Sequence, residues 1–527
     1  MATARTYPDP GCMQQHPASA ELSMRPAIWK LRLQLTTLLC VHVLVWTWVG
    51  WASRTNLDQA GDMAEAYVWA QGWQWGHHKH PPLSAWMVGL WFAVVPESLL
   101  TYSLLSALNS AVGLAGLALL AGEWLPRRWV LVAVALAALA PAYTSLAMRF
   151  NANAVLLSTW PFATALFVRL MRRGRWSDGL ACGLACALAM LGKYYSAVLL
   201  ASFLAVALAQ PNWRSRLADG PALLALACCA LCLAPHAAWL LAQSQGPWHY
   251  AQAAVGMQGF VPSLGRALNF AGVMSMVPSL AWALLWPAFT GSAARPVFAA
   301  AATAPFRPTA DAVWWLAMLP IAFTVLATVV TGARTASTWG IGLAASLACL
   351  SATRAHAAVG AFSLPRLWCC LGAVWALAAI LAPVWWHNRA AVQAPAVTLP
   401  RAELAQALSA LWQREHGSPL PWIAGTRVLA ASTSFHAPSH PRYWSLFGPE
   451  VETPWVELDQ VRRRGGLIVC DAADSACSAL AAAWSNERRW LEVAKTQRGH
   501  RFRSVGYDVW HLRPTGPATE AADYAKP

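Results

Sequence analysis

The sequence predicts a polytopic, α-helical membrane protein with about eleven membrane-spanning helices and a small C-terminal α/β domain. Of its 527 residues, 57% are apolar and only 12% are charged, and the mean hydropathy is +0.40. A soluble domain carries roughly 25% charged residues, so this composition excludes an ordinary water-soluble protein. Apolar runs recur as far as Trp386, and beyond it charged helix candidates and short β-like runs take their place.

The predicted spans follow from the length of the apolar runs, since the hydrocarbon core requires about 20 apolar residues per helix. Two of the runs are short and are also compatible with a re-entrant pair, which would leave the sidedness of the others unchanged. The eleven runs are 31–52, 98–122, 129–147, 152–171, the short pair 178–192 and 195–210, 221–243, 265–290, 312–332, 338–353 and 367–386.

The basic residues predict the orientation, because cytoplasmic loops are enriched in Lys and Arg. Alternate connections carry most of the basic residues, including Arg127, Arg128, Arg172, Arg173, Arg175, Arg214, Arg216, Arg295, Arg307, Arg354 and Arg366. The other connections carry mostly single ones: Lys79, Arg149, Lys193, Arg266 and Arg334. We therefore predict a cytoplasmic N-terminus, and the odd number of spans then places the C-terminal domain on the outer side. Because arginine far outnumbers lysine and alanine dominates the helices, which fits a bacterial source, we predict an inner-membrane protein with a periplasmic C-terminal domain. The net charge of +15 does not predict nucleic-acid binding, since no basic cluster is interleaved with aromatic residues.

The chain divides into four predicted segments. These are a disordered cytoplasmic tail (1–27), a transmembrane domain (28–386), a periplasmic α/β domain (387–514) and a second disordered tail (515–527). In the periplasmic domain, helices are predicted at 401–416 and 475–493, and strands at 427–431, 467–471 and 507–512. Cys470 and Cys477 are close enough in sequence to pair in an oxidising periplasm, or else they remain free thiols.

The first outer loop, 53–97, holds the densest polar chemistry in the chain. Asp62, Glu65 and Trp69 fall on one helical face, and Lys79 and His80 follow before a Pro-Pro pair. A carboxylate at the water–membrane boundary can remove a proton from an acceptor hydroxyl, and Lys and His can hold a phosphate. The competing interpretation is an interfacial amphipathic helix with a solvated edge and an aromatic belt.

Other polar residues are predicted on the same side of the membrane. Each alone is typical of an interfacial anchor, but together they converge on the side that holds Asp62. The case is strongest for Lys193, because a lysine between two apolar spans requires an anionic partner. The set comprises Arg149, Asn151, Asn153, Lys193, Tyr194, Tyr195, Trp248, His249, Tyr250, Arg334 and Trp339.

Several motifs resemble one family. The run 62–90, with Asp-x-x-Glu-Ala and Lys-His-Pro-Pro-Leu-x-x-Trp, resembles the first periplasmic loop of GT-C superfamily glycosyltransferases. Its nearest relatives look like bacterial family 39 members, related to protein O-mannosyltransferases and lipid A aminoarabinose transferases. The runs 150–161 and 190–195 are similar to the same group, as are 431–441, 453–455 and 463–470 in the outer domain.

The resemblance implies transfer of a sugar from a polyprenyl-phosphate donor to a lipid, glycan or protein acceptor on the outer face. Asp62 matches the catalytic aspartate, the general base. Contacts to the donor phosphate are implied for Lys79, His80, Lys193 and Arg334. Contacts to substrate are expected at Glu65, Tyr67, Asn153, Tyr194 and His249.

A divalent metal ion is the cofactor that the resemblance leaves open, with Asp62 and His80 as candidate ligands. The sequence departs from the family pattern at two positions. Met63 stands where many relatives have a second acid, so a shared carboxylate pair is not available there. Asn153 stands where some relatives have Asp, which weighs against a metal site.

The main alternative function is a transporter or lipid flippase, and another is a non-catalytic assembly factor that kept the fold. Transporters place ionisable residues near the bilayer midplane. Here the centres of the spans are nearly free of charge, with His236 as the main exception, and polar residues crowd the outer ends. This pattern favours chemistry at the membrane surface over passage through it.

Overall fold

The computed structural model describes residues 17–243, 246, 247, 249, 252, 259–289, 294–358 and 362–516, and for 17–28 the backbone alone. The region up to Ala391 is helical. Its helices are α1 (Pro17–Ala52), α2 (Asp62–Ala70), α3 (Leu83–Phe92), α4 (Leu99–Ala121), α5 (Arg127–Leu139), α6 (Ala152–Arg173), α7 (Trp176–Gly192), α8 (Ser196–Ala209), α9 (Pro211–Arg214), α10 (Gly220–Ala242), α11 (Phe260–Leu285), α12 (Ala294–Thr303), α13 (Ala312–Thr331), α14 (Ala344–Ala358) and α15 (Leu364–Ala391).

All eleven predicted spans fall on helices, but some of these helices are short. Within the described residues, seven helices are long and apolar enough to cross a membrane, or eight if α8 and the helical turns 211–218, bent by 111° from it, form one span. Runs 129–147 and 338–353 are each divided between an α-helix and a 3₁₀ helix, Pro141–Tyr143 and Ser337–Leu343. The count of eleven therefore stays a prediction. Helix α1 begins at Pro17, inside the segment predicted as a disordered tail.

Burial separates the helices of the core from those at the periphery. In α5, every side chain from Trp129 to Leu139 is buried, as expected of a helix that is apolar on all sides. Helices α4 and α6 approach so closely that a Cβ on Gly113 would lie 2.1 Å from the carbonyl oxygen of Leu157. In contrast, α10 buries few side chains, among them His236, so most of its apolar surface is left to face lipid.

The C-terminal domain contains a five-stranded mixed sheet in the order β2-β1-β3-β7-β4. Strand β1 pairs in parallel with β2 and β3, whereas β7 pairs antiparallel with β3 and β4. Its elements are α16 (Pro395–Thr398), α17 (Arg401–His416), β1 (Trp422–Gly425), α18 (Arg427–His436), β2 (Arg442–Tyr443), α19 (Pro449–Glu452), α20 (Leu458–Arg464), β3 (Gly466–Asp471), α21 (Ser475–Ala482), β4 (Arg488–Val493), the hairpin of β5 (Thr496–Gln497) and β6 (His500–Arg501), and β7 (Val505–Leu512).

Two local predictions in this domain are wrong. Residues 427–431 begin helix α18 instead of forming a strand, since a short apolar run does not distinguish a buried helix from a buried strand. The predicted helix 475–493 ends at Ala482, and its second half is the exposed edge strand β4. Helix α17 and strands β3 and β7 lie where the sequence predicts them. Strand β1 is not predicted from the sequence.

A disulfide joins Cys470 on β3 to Cys477 on α21, with the two Cα atoms 5.7 Å apart. Both cysteines are fully buried in a small cluster with Ile468 and Ala481. The bond therefore fastens α21 to the centre of the sheet.

The C-terminal domain, called the outer domain after its predicted side of the membrane, packs directly on helix α2 in the loop 53–97. A Cβ on Gly61 would lie 2.7 Å from the Val428 side chain, and one on Gly72 would overlap the Trp455 ring. Between these two points, Gln71 donates to the Ser434 hydroxyl at 3.0 Å and accepts from the Tyr443 amide at 3.0 Å. Both ends of α2 are thus covered by the outer domain.

Candidate active site

Helix α2 starts at Asp62 because Asp58 satisfies the free amides of its first turn. The Asp58 carboxylate accepts hydrogen bonds from the backbone N–H groups of Asp62 (3.1 Å) and Met63 (2.7 Å). Gly61 precedes the helix at φ 86°, a conformation that favours glycine. Asp58 is 3% exposed, and burial raises its pKa. Asp58 therefore has a structural role, whereas Asp62 lines two cavities.

Asn151 orients the Asp62 carboxylate. Its side-chain oxygen caps α6 by accepting from the backbone N–H groups of Asn153 and Ala154, each at 3.0 Å. Its side-chain N–H₂ donates to Asp62 Oδ2 at 2.8 Å. One amide thus begins helix α6 and aligns the predicted catalytic acid.

A cavity of about 110 Å³, the outer cavity, lies between helix α2 and the outer domain. Glu65, which accepts a hydrogen bond from Lys79, lies in its wall. Burial raises the pKa of Glu65, and the Lys79 ammonium opposes that rise. The full lining is Ala60, Gly61, Asp62, Glu65, Val68, Trp69, His78, Lys79, Arg427, Val428, Ala431, Tyr443 and Glu452.

A second, smaller cavity of about 40 Å³, the inner cavity, also borders Asp62. Its lining includes His80 and Ser84 from the loop and Asn151 and Asn153 from the start of α6. Asn153 accepts a hydrogen bond from the Lys193 ammonium. Because Asp62 and Glu65 also line this cavity, the two spaces meet at these carboxylates.

Lys193 lies in the connection between α7 and α8, only 7% exposed. Its ammonium sits 4.7 Å from the ring centroid of Trp339, which covers it by a cation–π contact. Burial lowers the pKa of Lys193 to about 7, and the Asp62 charge partly offsets this. A buried cation of this kind is well placed to receive an anion.

The loop histidines pack as aromatic rings. His77 stacks on Trp69 with centroids 4.6 Å apart and meets Trp455 edge-on at 5.8 Å. Burial lowers the pKa of His77 and of His80 to about 3. Both rings are therefore neutral at pH 7.

Four further predicted site residues have no hydrogen bond to Asp62 within the part of the chain that the structure describes. Tyr67 points away, with its ring 5.1 Å from Phe435 in the core beneath the outer domain. Tyr194 packs on His236 at 5.7 Å, and burial raises its pKa. Arg334 and His249 are exposed, and within the described residues no hydrogen bond or ion pair joins either one to Asp62.

In the described ranges, the one group of three His, Cys, Asp or Glu side chains whose ligand atoms lie close together is Glu415, His416 and His511 in the outer domain, away from Asp62. Beside Asp62, the Glu65 carboxylate is already occupied by Lys79. The metal role of Asp62 and His80 stays a prediction.

A larger apolar groove of about 550 Å³ opens on the surface of the membrane domain. Its wall includes Ser337, Thr338, Gly340 and Ile341, which flank the Trp339 ring that covers Lys193. Met276 and Leu280 of α11, more than half exposed, form the opposite side. The groove therefore borders the segment that carries Trp339, the ring that covers the buried lysine.

A family model for dolichyl-phosphate-mannose-protein mannosyltransferase matches residues 79–239. A structure of ArnT from Cupriavidus metallidurans bound to undecaprenyl phosphate matches with a TM-score of 0.58 at 14% identity, over 90% of this chain and 98% of that one. The chain has a GT-C glycosyltransferase fold. This confirms the resemblance predicted from residues 62–90.

Two further solved structures match this chain with lower TM-scores. An oligosaccharyltransferase from Archaeoglobus fulgidus, in complex with Zn and sulfate, has a TM-score of 0.48 at 13% identity, over 89% of this chain and 72% of that one. AglB from the same organism, in complex with an inhibitory peptide and a dolichol-phosphate, has a TM-score of 0.40 at 12% identity, over 95% and 75%. No curated protein sequence matches the chain.

Sequence reasoning missed three residues that line the outer cavity of this GT-C fold: Arg427, Tyr443 and Glu452. They lie in the outer domain, and no local pattern ties them to the first outer loop. From the sequence, Asn151 is only one of several polar residues on the predicted outer side, and its bond to Asp62 is not predicted. Its position before the apolar run of α6 is an N-cap signal that could have marked its helix-capping role.

Proposed function

We propose that this protein transfers a sugar from a polyprenyl-phosphate donor to a hydroxyl group of a lipid, glycan or protein on the periplasmic face of a bacterial inner membrane. The observation that carries the proposal is the position of Asp62. It lies where an outer polar cavity meets an inner one. Asn153 in the wall of the inner cavity bonds the buried Lys193, and Lys193 is covered by Trp339, whose neighbours in the chain line an apolar groove. The ArnT match, bound to undecaprenyl phosphate, supports this class of donor.

The donor lipid fits the apolar groove. Its tail would lie against α11 and the 3₁₀ helix Ser337–Leu343, and its phosphate would reach Lys193 past Trp339. The Lys193 ammonium donates a hydrogen bond to the neutral amide oxygen of Asn153. A phosphate would replace this oxygen, because an anion is a stronger hydrogen-bond acceptor for an ammonium group. Lys79, bonded to Glu65 where the two cavities meet, would supply the second cation.

The reaction then requires one proton transfer and one substitution. Asp62 accepts the proton of the acceptor hydroxyl, and the acceptor oxygen bonds to the anomeric carbon of the sugar. The bond from that carbon to the phosphate oxygen breaks, and polyprenyl phosphate leaves as an anion stabilised by Lys193 and Lys79. Asn151 keeps the Asp62 oxygen in place through its 2.8 Å hydrogen bond.

The test is turnover of pooled polyprenyl-phosphate sugars in membranes that contain the wild type, Asp62→Asn or Asp219→Asn. Asp219 is an exposed aspartate in the connection before α10, so its variant matches the chemical change away from the site. We expect the wild type and Asp219→Asn to consume one donor and release free polyprenyl phosphate, and Asp62→Asn to do neither.

The opposite result is equally informative. If none of the three proteins consumes any donor, but lipid or solute crosses the bilayer in their presence, the transport function replaces this one. If Asp62→Asn turns over donor at the wild-type rate, Asp62 is not the base.

A further inference from the structure

We propose that the outer domain forms one wall of a sugar-binding subsite, in which Arg427 and Glu452 contact the hydroxyl groups of an uncharged sugar held above Asp62. This inference rests on the proposed function and adds to it the class of sugar and the residues that recognise it. Five of the residues that line the outer cavity belong to the outer domain: Arg427, Val428, Ala431, Tyr443 and Glu452.

Arg427 and Glu452 are held in fixed positions at the cavity. The Arg427 guanidinium donates to Glu452 Oε1 from Nε at 2.8 Å, and its Nη2 lies 2.6 Å from the same oxygen. The guanidinium carbon also lies 4.3 Å from the Phe447 ring centroid. Glu452 accepts a second hydrogen bond from the Ser445 hydroxyl at 2.6 Å. Such a pair presents both donors and acceptors to a ligand without having to reorganise.

The wall is also fixed relative to the catalytic helix. Val428, next to Arg427 in the chain, packs on Gly61 at the start of α2. Gln71, at the end of α2, is bonded to Ser434 and to the backbone of Tyr443. The distance between Asp62 and the Arg427–Glu452 pair is therefore set by packing at both ends of α2.

The chemistry of the cavity fits a polyhydroxylated ring. Trp69 and Tyr443 offer aromatic surface, and the charged side chains offer hydrogen-bond donors and acceptors in mixed order. The charged lining has three carboxylates against two cations: Asp62, Glu65 and Glu452 against Lys79 and Arg427. Burial lowers the pKa of His78 to about 4, so this histidine adds no charge at pH 7.

This excess of one negative charge disfavours a sugar that is itself anionic. The inner cavity suits the donor phosphate better, because the Lys193 ammonium bonds Asn153 in its wall. We therefore assign the outer cavity to the sugar ring and the inner cavity to the phosphate, and we expect glucose-type sugars to be preferred over glucuronic acid.

The experiment compares equilibrium binding of three probes to the full-length protein in detergent: undecaprenyl phosphate, undecaprenyl-phosphate-glucose and undecaprenyl-phosphate-glucuronate. The variants are Arg427→Ala and Glu452→Gln. The matched control is Arg462→Ala, which breaks an exposed ion pair with Asp459 elsewhere in the outer domain. Unfolding temperatures of all variants show whether the fold is retained.

We expect the wild type and Arg462→Ala to bind the glucose donor more tightly than undecaprenyl phosphate, and the glucuronate donor more weakly than the glucose donor. Arg427→Ala and Glu452→Gln should weaken binding of the glucose donor by about tenfold, as expected for loss of a charged hydrogen bond, and leave undecaprenyl phosphate binding unchanged.

Two results would overturn the inference in different ways. If the wild type binds undecaprenyl phosphate but the two variants bind the glucose donor as tightly as the wild type does, the subsite is wrong while the proposed function stands. If the wild type binds none of the three probes, the proposed function and the subsite are both refuted.

Discussion

The side chain of Asn151 joins the N-terminus of helix α6 to the carboxylate of Asp62, through a 2.8 Å hydrogen bond on one side of the amide and two cap bonds on the other. The predicted catalytic acid is thereby tied to the transmembrane framework and not only to its own loop. The two functions of this amide can be separated by mutation.

Replacing Asn151 with serine should preserve the helix cap and remove the donor to Asp62, because a hydroxyl caps well but is too short to reach the carboxylate. We expect turnover to fall about tenfold or more with little change in the unfolding temperature. Asn151→Ala should lose both functions and also destabilise the protein by about 1 kcal/mol. Wild-type turnover in Asn151→Ser would show that this bond does not position Asp62.

Lys193 should make donor binding depend on pH. Burial lowers its pKa to about 7, so the ammonium is charged below that pH and loses its proton above it. Binding an anion above pH 7 requires the proton to be taken up again, and affinity for undecaprenyl phosphate should fall by up to about tenfold per pH unit. Binding measured from pH 6 to 9 tests this.

The control is Lys193→Arg, because arginine stays charged throughout this range. The phosphate of the probe ionises identically with both proteins, so only the difference between the two profiles reports on Lys193. Parallel profiles would show that Lys193 is not the group that binds the anion.

Gly61 should be intolerant of a side chain for two reasons, its φ of 86° and its contact with Val428. Gly61→Ala should lower stability by more than the roughly 1–2 kcal/mol expected from the backbone alone. Gly417→Ala is the matched control, since Gly417 has a φ of 65° with open space around its Cβ position. Thermal unfolding of the two variants gives the difference.

Removing the contact should restore part of the lost stability. Gly61→Ala combined with Val428→Ala relieves the contact with the outer domain but not the backbone strain. If the double variant is no more stable than Gly61→Ala, the outer domain does not press on the start of α2 in solution.

The disulfide between Cys470 and Cys477 should stabilise the outer domain. It closes a loop with a sequence separation of seven, for which chain entropy gives about 2.5 kcal/mol. Reductant should lower the unfolding temperature of the wild type and of Cys369→Ser, which lacks an exposed cysteine outside the bond. It should not affect Cys470→Ser/Cys477→Ser. An equal response in all three proteins would contradict a structural role for the bond.

The sequence predicts an element well when that element is determined by residues close to one another along the chain. Helix α17 runs from Arg401 to His416 as predicted, because its capping glycine and charged turns are local signals. The segment 427–431 is a helix and not the predicted strand, and its apolar residues suit either form equally well. It is a helix in the structure because that form packs Leu429 and Phe435 into the core shared with α2.

By itself, the sequence determined the membrane class, the position of the apolar runs and the first outer loop as the centre of the polar chemistry, since composition and local periodicity report these directly. Only the tertiary structure decided that Tyr67 points into the core while Asn151 and the outer domain face Asp62. The physical reason is that these contacts join residues far apart in the chain. Their free energy comes from packing and hydrogen bonds that no local segment contains.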